Sequence, residues 1–502
     1  MLFNSYAFII FFGVVLLLHY MRFTWKVKKI NLLVASYLFY AVWNPPFVLL
    51  LWLSTLLDFF LGKKMYAEQN PIKRKSLLMA SLVVNLGMLA FFKYGSFLSE
   101  NFVTLVALIG VDFHPVAPDI ILPVGISFYT FQTLSYSIDM YKKRSLPEKS
   151  LLDFSLYVTF FPQLVAGPIV RPAELMPQFK KPHQANRQQF IRGLMLVSLG
   201  LFMKVVMADT LLSGVADMVF GAKQALLSVD AWLGVLAFSG QIFFDFAGYS
   251  TCAIGVAACL GFTLPDNFRY PYAAIGFSDF WRRWHISLST WLRDYLYIPL
   301  GGNRNGTMRT YLNLMITMLL GGLWHGASWT FVVWGALHGI YLSVERMLRG
   351  NDAPHPPKFK SSSRILLVPK KERLVTESAS LAPAFLRGNR MHQFFGAMLT
   401  FLLVNITWVF FRASDFGTAW NVLGSMFRLA ENGVALVPTI DMVKVVVVTI
   451  FLLATHWAMR NTTVMQVAQK AKWWVTGSVW ALMLILIVLS QKSSDSFIYF
   501  QF

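Results

Sequence analysis

Apolar stretches long enough to cross a bilayer follow one another almost from end to end of this 502-residue chain, and no other feature restricts its fold as severely. A membrane-crossing helix needs about 20 mostly apolar residues. Runs of that kind are legible near 4–21, 30–44, 46–62, 77–92, 119–140, 190–207, 229–247, 249–263, 310–323, 328–347, 392–411, 440–458 and 472–490, with shorter or proline-broken runs at 101–110 and 151–170. Inside hydrocarbon every backbone N–H and C=O must find its partner within the chain, which leaves helices and closed barrels. Continuous runs rather than strict alternation point to helices. The expected object is an all-α polytopic integral membrane protein, a single domain over 1–502, with roughly 11–14 transmembrane and re-entrant elements. The first run lacks a basic leader and a small-residue cleavage site, so it reads as a membrane span rather than a signal peptide.

Composition agrees: 56% of residues are hydrophobic and 14% charged, against about 45–50% and about 25% in soluble domains. Lys and Arg number 44 and Asp and Glu 24, for a net charge of +20. In an aqueous protein that balance would suggest nucleic acid. Spread between apolar runs it points instead to membrane lipid and to topology. The basic stretches 22–29, 63–75, 142–149 and 349–390 are candidates for the cytoplasmic side. A hairpin over 30–62, turning at Asn44, Pro45 and Pro46, returns the chain to the side it left. The stretch 171–192 is also basic, although one crossing at 151–170 would carry it to the opposite side. Pro162 and Pro168 favour a re-entrant element there, which is tolerated only within protein or beside a water-filled cavity. The segment 349–390, with Pro354, Pro356 and Pro357, reads as a basic cytoplasmic loop insertion. Cys252 and Cys259 lie seven residues apart in an apolar run, roughly 10 Å along a helix, too far for a disulfide.

Chemistry concentrates in two stretches. Over 277–298, Phe277, Trp281, Trp284, Leu288, Trp291, Tyr295 and Ile298 recur at steps of four and three, one stripe of a single helix. At about 100° per residue, Arg282, His285, Ser289 and Arg293 share its other face. Such a face suits a polar cavity, and equally suits the gripping of phosphate head groups. Further on, His325 stands within an apolar run beside Trp324, Gly321, Gly322 and Gly326. An ionisable group there is costly and a functional candidate by default, and the glycines let another helix or a ligand approach closely. A core histidine bonded to a carbonyl would leave the same pattern. His338 reads as a packing residue. Asp245, within an apolar run, suits either the orienting of a histidine, the pairing of an arginine, or a structural buried pair. No serine-hydrolase elbow, zinc-protease helix, phosphate-binding loop or dinucleotide fingerprint occurs, and no metal site is expected.

The strings FWRRWHISLSTWLRDYLYIPLGGNRNG (280–306) and LGGLWHGASWTFVVWGALHG (320–339) resemble the membrane-bound O-acyltransferase (MBOAT) family. More narrowly, they are similar to its bacterial branch of alginate and peptidoglycan O-acetyltransferase membrane components. The resemblance extends through LPVGISFYTFQTLSYSIDMY (122–141), FPQLVAGPIVRPAEL (161–175), FFDFAGYS (243–250), PDNFRYPY (265–272) and FIYFQF (497–502). It implies a ring of helices around a central funnel, with the family's invariant histidine at His325 and its second signature position, histidine or asparagine, at His285. It implies an acetyl group taken from a cytoplasmic thioester, acetyl-CoA as substrate with no bound cofactor. The acceptor would be an extracytoplasmic polysaccharide hydroxyl, reached directly or through a periplasmic partner of the SGNH type, at the bacterial inner membrane. An alginate-like acceptor is expected first, peptidoglycan or cellulose second. A histidine suits the base role because its ordinary pKa, about 6.5, lies near neutral pH. Within this frame Arg282, Arg293, Ser289, Asp245 and Trp324 are candidates for holding the donor or orienting the site. The rival of another class is a transporter that moves an acyl carrier without making a bond.

Overall fold

The computed structural model describes residues 1–113, 115, 120–349, 390–428 and 433–490. The inserted segment 349–390 therefore falls, apart from its two end residues, outside the described residues, as does the terminal FIYFQF string. Among the described residues the elements are helical, with a lone bridge between Leu226 and Val434. In order they are α1 (Tyr6–Tyr20), α2 (Trp25–Ala41), α3 (Val48–Ala67), α4 (Pro71–Leu108), α5 (Ile126–Tyr141), α6 (Leu151–Thr159), α7 (Phe161–Leu164), α8 (Pro172–Phe179) and α9 (Arg187–Leu201). A wide π-type segment, Phe202–Ser213, leads into α10 (Gly214–Phe220) and then α11 (Ser228–Cys259). The remainder is α12 (Phe277–Arg283), α13 (Ile286–Leu292), α14 (Thr307–His325), α15 (Trp329–Arg349), α16 (Arg390–Arg412), α17 (Phe416–Met426), α18 (Thr439–Met459), α19 (Val464–Lys470) and α20 (Trp473–Leu489). Six of the described helices are long and apolar enough to cross a membrane.

Two expected spans, 229–247 and 249–263, are one helix: nothing in Ala247, Gly248 and Tyr249 stops it, and α11 runs unbroken for 32 residues. It is the centre of the molecule, with 89% of its most apolar window buried, against 17% for α4 at the rim. The centre is tight because α9 crosses it glycine to glycine. A Cβ on Gly200 would stand 2.5 Å from the carbonyl oxygen of Gly248, so both positions exclude a side chain. Cys252 and Cys259 pack into the same crossing as separate thiols, against the carbonyls of Val197 and Phe190. Two aromatic cores flank α11. One gathers Phe39, Tyr129, Phe131, Tyr157, Phe161 and Trp324; the other gathers Phe238, Trp284, Trp334, Trp408 and Phe411.

The proline-broken stretch 151–170 is two short pieces, α6 and α7, of nine and four residues. At 1.5 Å per residue neither reaches across about 30 Å of hydrocarbon, and Phe154, Leu156, Tyr157, Phe160 and Phe161 are fully buried in protein. The basic stretches accordingly meet at one end of the molecule. Lys29 pairs with Asp153, Lys63 donates to the Lys149 carbonyl at 3.3 Å, Arg74 lies over Tyr141, and Lys180 pairs with Glu148 at 3.4 Å. Arg171 joins them through Asp294 at 2.7 Å.

Candidate active site

The helix expected over 277–298 is two helices. The N-terminus of α12 is held from α15, where Glu345 accepts the backbone N–H groups of Phe277 (2.5 Å) and Ser278 (3.0 Å). Its end is pinned by a buried network: Arg283 Nε reaches Asp279 at 2.9 Å, and Arg460 reaches the other oxygen of Asp279 at 3.1 Å. Trp284 then turns extended, and His285 adopts φ 42°, ψ 55°, a left-handed conformation uncommon for a side chain of its size. The chain resumes as α13. The break scatters the shared face. His285 is wholly buried, while Arg282 is exposed. Ser289 donates back to the Trp284 carbonyl at 3.2 Å, satisfying an acceptor that the break leaves without its helical partner. Arg293 is exposed and pairs with Asp294 at 2.7 Å. Burial alone would raise the Asp294 carboxyl, but the Arg293 hydrogen bond and the charges of Arg171 and Arg293 hold it below the ordinary carboxylate range.

His285 is fastened by Asn267, the third residue of PDNFRYPY. The Asn267 carbonyl accepts the Ile286 N–H at 2.9 Å, and its Oδ1 accepts the Ser287 N–H at 3.1 Å and the Ser287 hydroxyl at 2.9 Å. His285 Nδ1 lies 3.2 Å from the same Oδ1. Behind it, Asn267 Nδ2 donates to Ser250 of α11 at 3.2 Å.

His325 is the last residue of α14, 2% exposed. Its ring centroid lies 6.2 Å from that of His285, 5.0 Å from Trp324, 5.0 Å from Trp334 and 5.4 Å from Phe411. His285 contacts Phe128 and Phe246, which belong to the first aromatic core. Trp334 and Phe411 belong to the second, so the two imidazoles meet on the seam between the cores. The glycines at His325 admit a helix. The Cα of Gly335 in α15 would stand 3.2 Å from a Cβ at Gly322, and the Phe331 ring occupies the space beside Gly326.

The end of α14 leaves carbonyls without helical partners, and α4 supplies them. Tyr94 donates to Leu323 O at 2.7 Å, and the Lys93 ammonium donates to Trp324 O at 2.7 Å and His325 O at 2.9 Å. Asn267, Lys93 and Tyr94 escaped the sequence reading. A lysine ending the apolar run of α4 was the available signal for one of them.

Trp324 begins a path of aromatic contacts toward the basic end: Trp324 to Phe131 at 5.3 Å, Phe131 to Trp291 at 3.9 Å, Trp291 to Tyr295 at 5.2 Å, and Arg171 over Tyr295 at 5.2 Å. Asp245 lies on α11 one residue before Phe246. It pairs with Lys204 at 2.7 Å, the buried pair that was one of its three expected readings, and Lys204 also holds Asp209 at 2.9 Å. His338 is fully buried, its ring 4.7 Å from Trp334, with Nε2 3.1 Å from the Thr407 hydroxyl. Among the described residues no cluster of three His, Cys, Asp or Glu is arranged to hold a metal ion.

Known proteins are similar to this chain in sequence. The sequence profile of the MBOAT, membrane-bound O-acyltransferase family, matches residues 142–375. The probable alginate O-acetylase AlgI of Pseudomonas putida is 38% identical over the whole of both chains. That of Pseudomonas aeruginosa is 40% identical over 85% of this chain and 75% of its own length. The peptidoglycan O-acetyltransferase of Helicobacter pylori is 37% identical over 81% of this chain and 75% of its own. With a buried histidine pair at the meeting of two aromatic cores and full-length relatives at this level of identity, the chain belongs to the membrane-bound O-acyltransferase family and is a multi-pass membrane acetyltransferase of its bacterial branch.

Proposed function

We propose that the enzyme takes an acetyl group from a thioester, acetyl-CoA as substrate, at the basic end of the molecule and transfers it to a hydroxyl of an extracytoplasmic polysaccharide. The observation that carries this reading is the pair of buried imidazoles, ring centroids 6.2 Å apart. Transfer from a thioester to an alcohol requires a group that removes the hydroxyl proton as the oxygen attacks, and histidine is the side chain suited to it near neutral pH. His325 takes that proton; His285 assists from the opposite side of the seam. The basic end, with Arg171 and Arg293 around Asp294, is the cytoplasmic face of the inner membrane by the excess of Lys and Arg there. Its cations suit donor phosphates, and the aromatic path from Arg171 to Trp324 leads from them to the histidines. An alginate-like acceptor is favoured by the identity to two alginate O-acetylases, and peptidoglycan is the second candidate because one relative acts on it. A periplasmic SGNH-type partner would complete transfer to the polymer.

Purified protein in lipid vesicles, supplied with labelled acetyl-CoA and an oligosaccharide acceptor, should form an alkali-labile acetyl ester. His325→Ala and His285→Ala should each lower the rate by about 10²-fold or more, the ordinary contribution of a positioned acid–base group. Normal acetylation by His325→Ala at normal protein level would remove that residue from the chemistry. Movement of label across the vesicle without ester formation would make the protein a transporter.

A further inference from the structure

We infer that Asn267 locks His285 in the tautomer protonated at Nδ1, so that Nε2 is a proton acceptor and His285 relays the proton of the transfer; this rests on the acetyl-transfer reading above. The assignment follows from donors that cannot be reversed. The Ser287 backbone N–H can only donate, so the Asn267 atom that it meets at 3.1 Å is the carbonyl oxygen. The amide nitrogen is then the atom that faces Ser250, at 3.2 Å. An oxygen accepting from Ser287 and lying 3.2 Å from His285 Nδ1 requires the hydrogen on Nδ1. In the neutral ring Nε2 then carries a lone pair, and among the described residues nothing hydrogen-bonds to it.

The left-handed backbone at His285 belongs to the same device. Asn267 grips Ile286 through its carbonyl and Ser287 through its side chain, so that a single asparagine fixes the two residues that follow the strained one. Strain of this kind persists where surrounding contacts over-determine it.

The tautomer separates the roles open to His285. With Nδ1–H spent on Asn267, the neutral ring cannot donate from Nε2 to a developing oxyanion or to the thioester carbonyl. It can accept a proton there and return it from the same atom. In the transfer the hydroxyl oxygen forms its bond to the acetyl carbon and the carbon–sulfur bond breaks. The hydroxyl proton passes to His325, from it to His285 Nε2, and on to the departing thiolate, leaving ester and free thiol. Around His285 the facing groups are Phe128 from α5, Phe246 from α11, Phe268 from the preceding loop, and Trp324 and His325 from α14. Asp245, next to Phe246, is paired with Lys204, and the Lys93 charge lies on the His325 carbonyl. His325 is thus the titratable ring in direct apposition.

Three variants in the vesicle assay test this. Asn267→Leu removes the acceptor and should cut kcat at least tenfold with KM for acetyl-CoA unchanged. Asn267→Asp keeps an acceptor in place and adds a charge that favours the imidazolium. It should stay active, with the acid limb of its pH–rate profile moved to higher pH, because His285 then leaves its neutral form sooner as pH falls. His285→Asn suits the left-handed backbone but has no basic nitrogen, and should be nearly inactive. A wild-type rate for His285→Asn, or an unmoved acid limb in an active Asn267→Asp, would overturn the relay. If Asn267→Leu fails to accumulate, the Asn267→Asp profile decides alone. His325→Ala in the same assay separates the two levels: an active His325→Ala defeats the acetyl-transfer chemistry itself, whereas an inactive one beside a wild-type His285→Asn defeats only the relay.

Discussion

At the scale of single residues, three buried histidines of similar sequence context have different surroundings. His285 and His325 are neighbours, whereas His338 is turned to Thr407 across α15 and α16, stacked on Phe280 and edge-on to Trp334. His338→Phe keeps the ring stack and gives up one neutral hydrogen bond, worth about 1 kcal/mol. The expected result is acetylation within about threefold of wild type and a slightly lower melting temperature; a loss as large as that of His325→Ala would place His338 in the chemistry. The sequence carried the candidacy of His325 and His285, since an imidazole in an apolar or Trp-rich run is conspicuous. It did not carry Asn267, because an asparagine in a loop has no periodic signal, and its worth lies in four neighbours, Ser250, His285, Ile286 and Ser287, fixed by folding.

At the scale of elements, the decisive feature is where helices stop. α14 ends at His325, and its last carbonyls are answered by Lys93 and Tyr94 of α4. Removing a partner from a buried acceptor costs about 1–3 kcal/mol. Lys93→Met should therefore lower activity per molecule and loosen the end of α14, while Lys93→Arg, which retains the donors, should recover much of the loss. Equal activity of Lys93→Met and wild type, at matched protein levels, would show that the end of α14 holds without them. The break between α12 and α13 was invisible to periodicity, because Phe277 to Ile298 keeps its three- and four-residue spacing through the joint. A left-handed residue is stable there through Asn267, Glu345 and Arg460, which approach from outside the stretch. The short α6 and α7 were legible, since Pro162 and Pro168 mark them.

At the scale of the whole molecule, the positive charge divides by position. Most of the described basic clusters meet at one end, where Lys29, Lys63, Arg74, Arg171 and Lys180 contact the 141–153 stretch or Asp294. Single cysteines at Lys75, Arg144 and Lys181, all exposed, should therefore react from the same side. A membrane-impermeant thiol reagent should miss all three in intact cells and reach all three in inverted vesicles. Cys252 and Cys259 are buried and give little background. Labelling of position 181 from outside alone would put 151–170 across the membrane.

The sequence by itself determined the class of object: a helical membrane protein with its basic residues between apolar runs, and a family resemblance resting on strings that contain both histidines. These are properties of composition and of order along the chain, which hydrocarbon selects before any tertiary contact forms. Only the tertiary structure decided that 229–263 is one central helix, that 277–298 is two, and that Asn267 stands against His285. Each depends on groups far apart in sequence meeting in a dry interior. There an unpaired polar atom costs several times what it would in water, so the partners, and not local propensity, choose where a helix ends and which nitrogen of a histidine holds its proton.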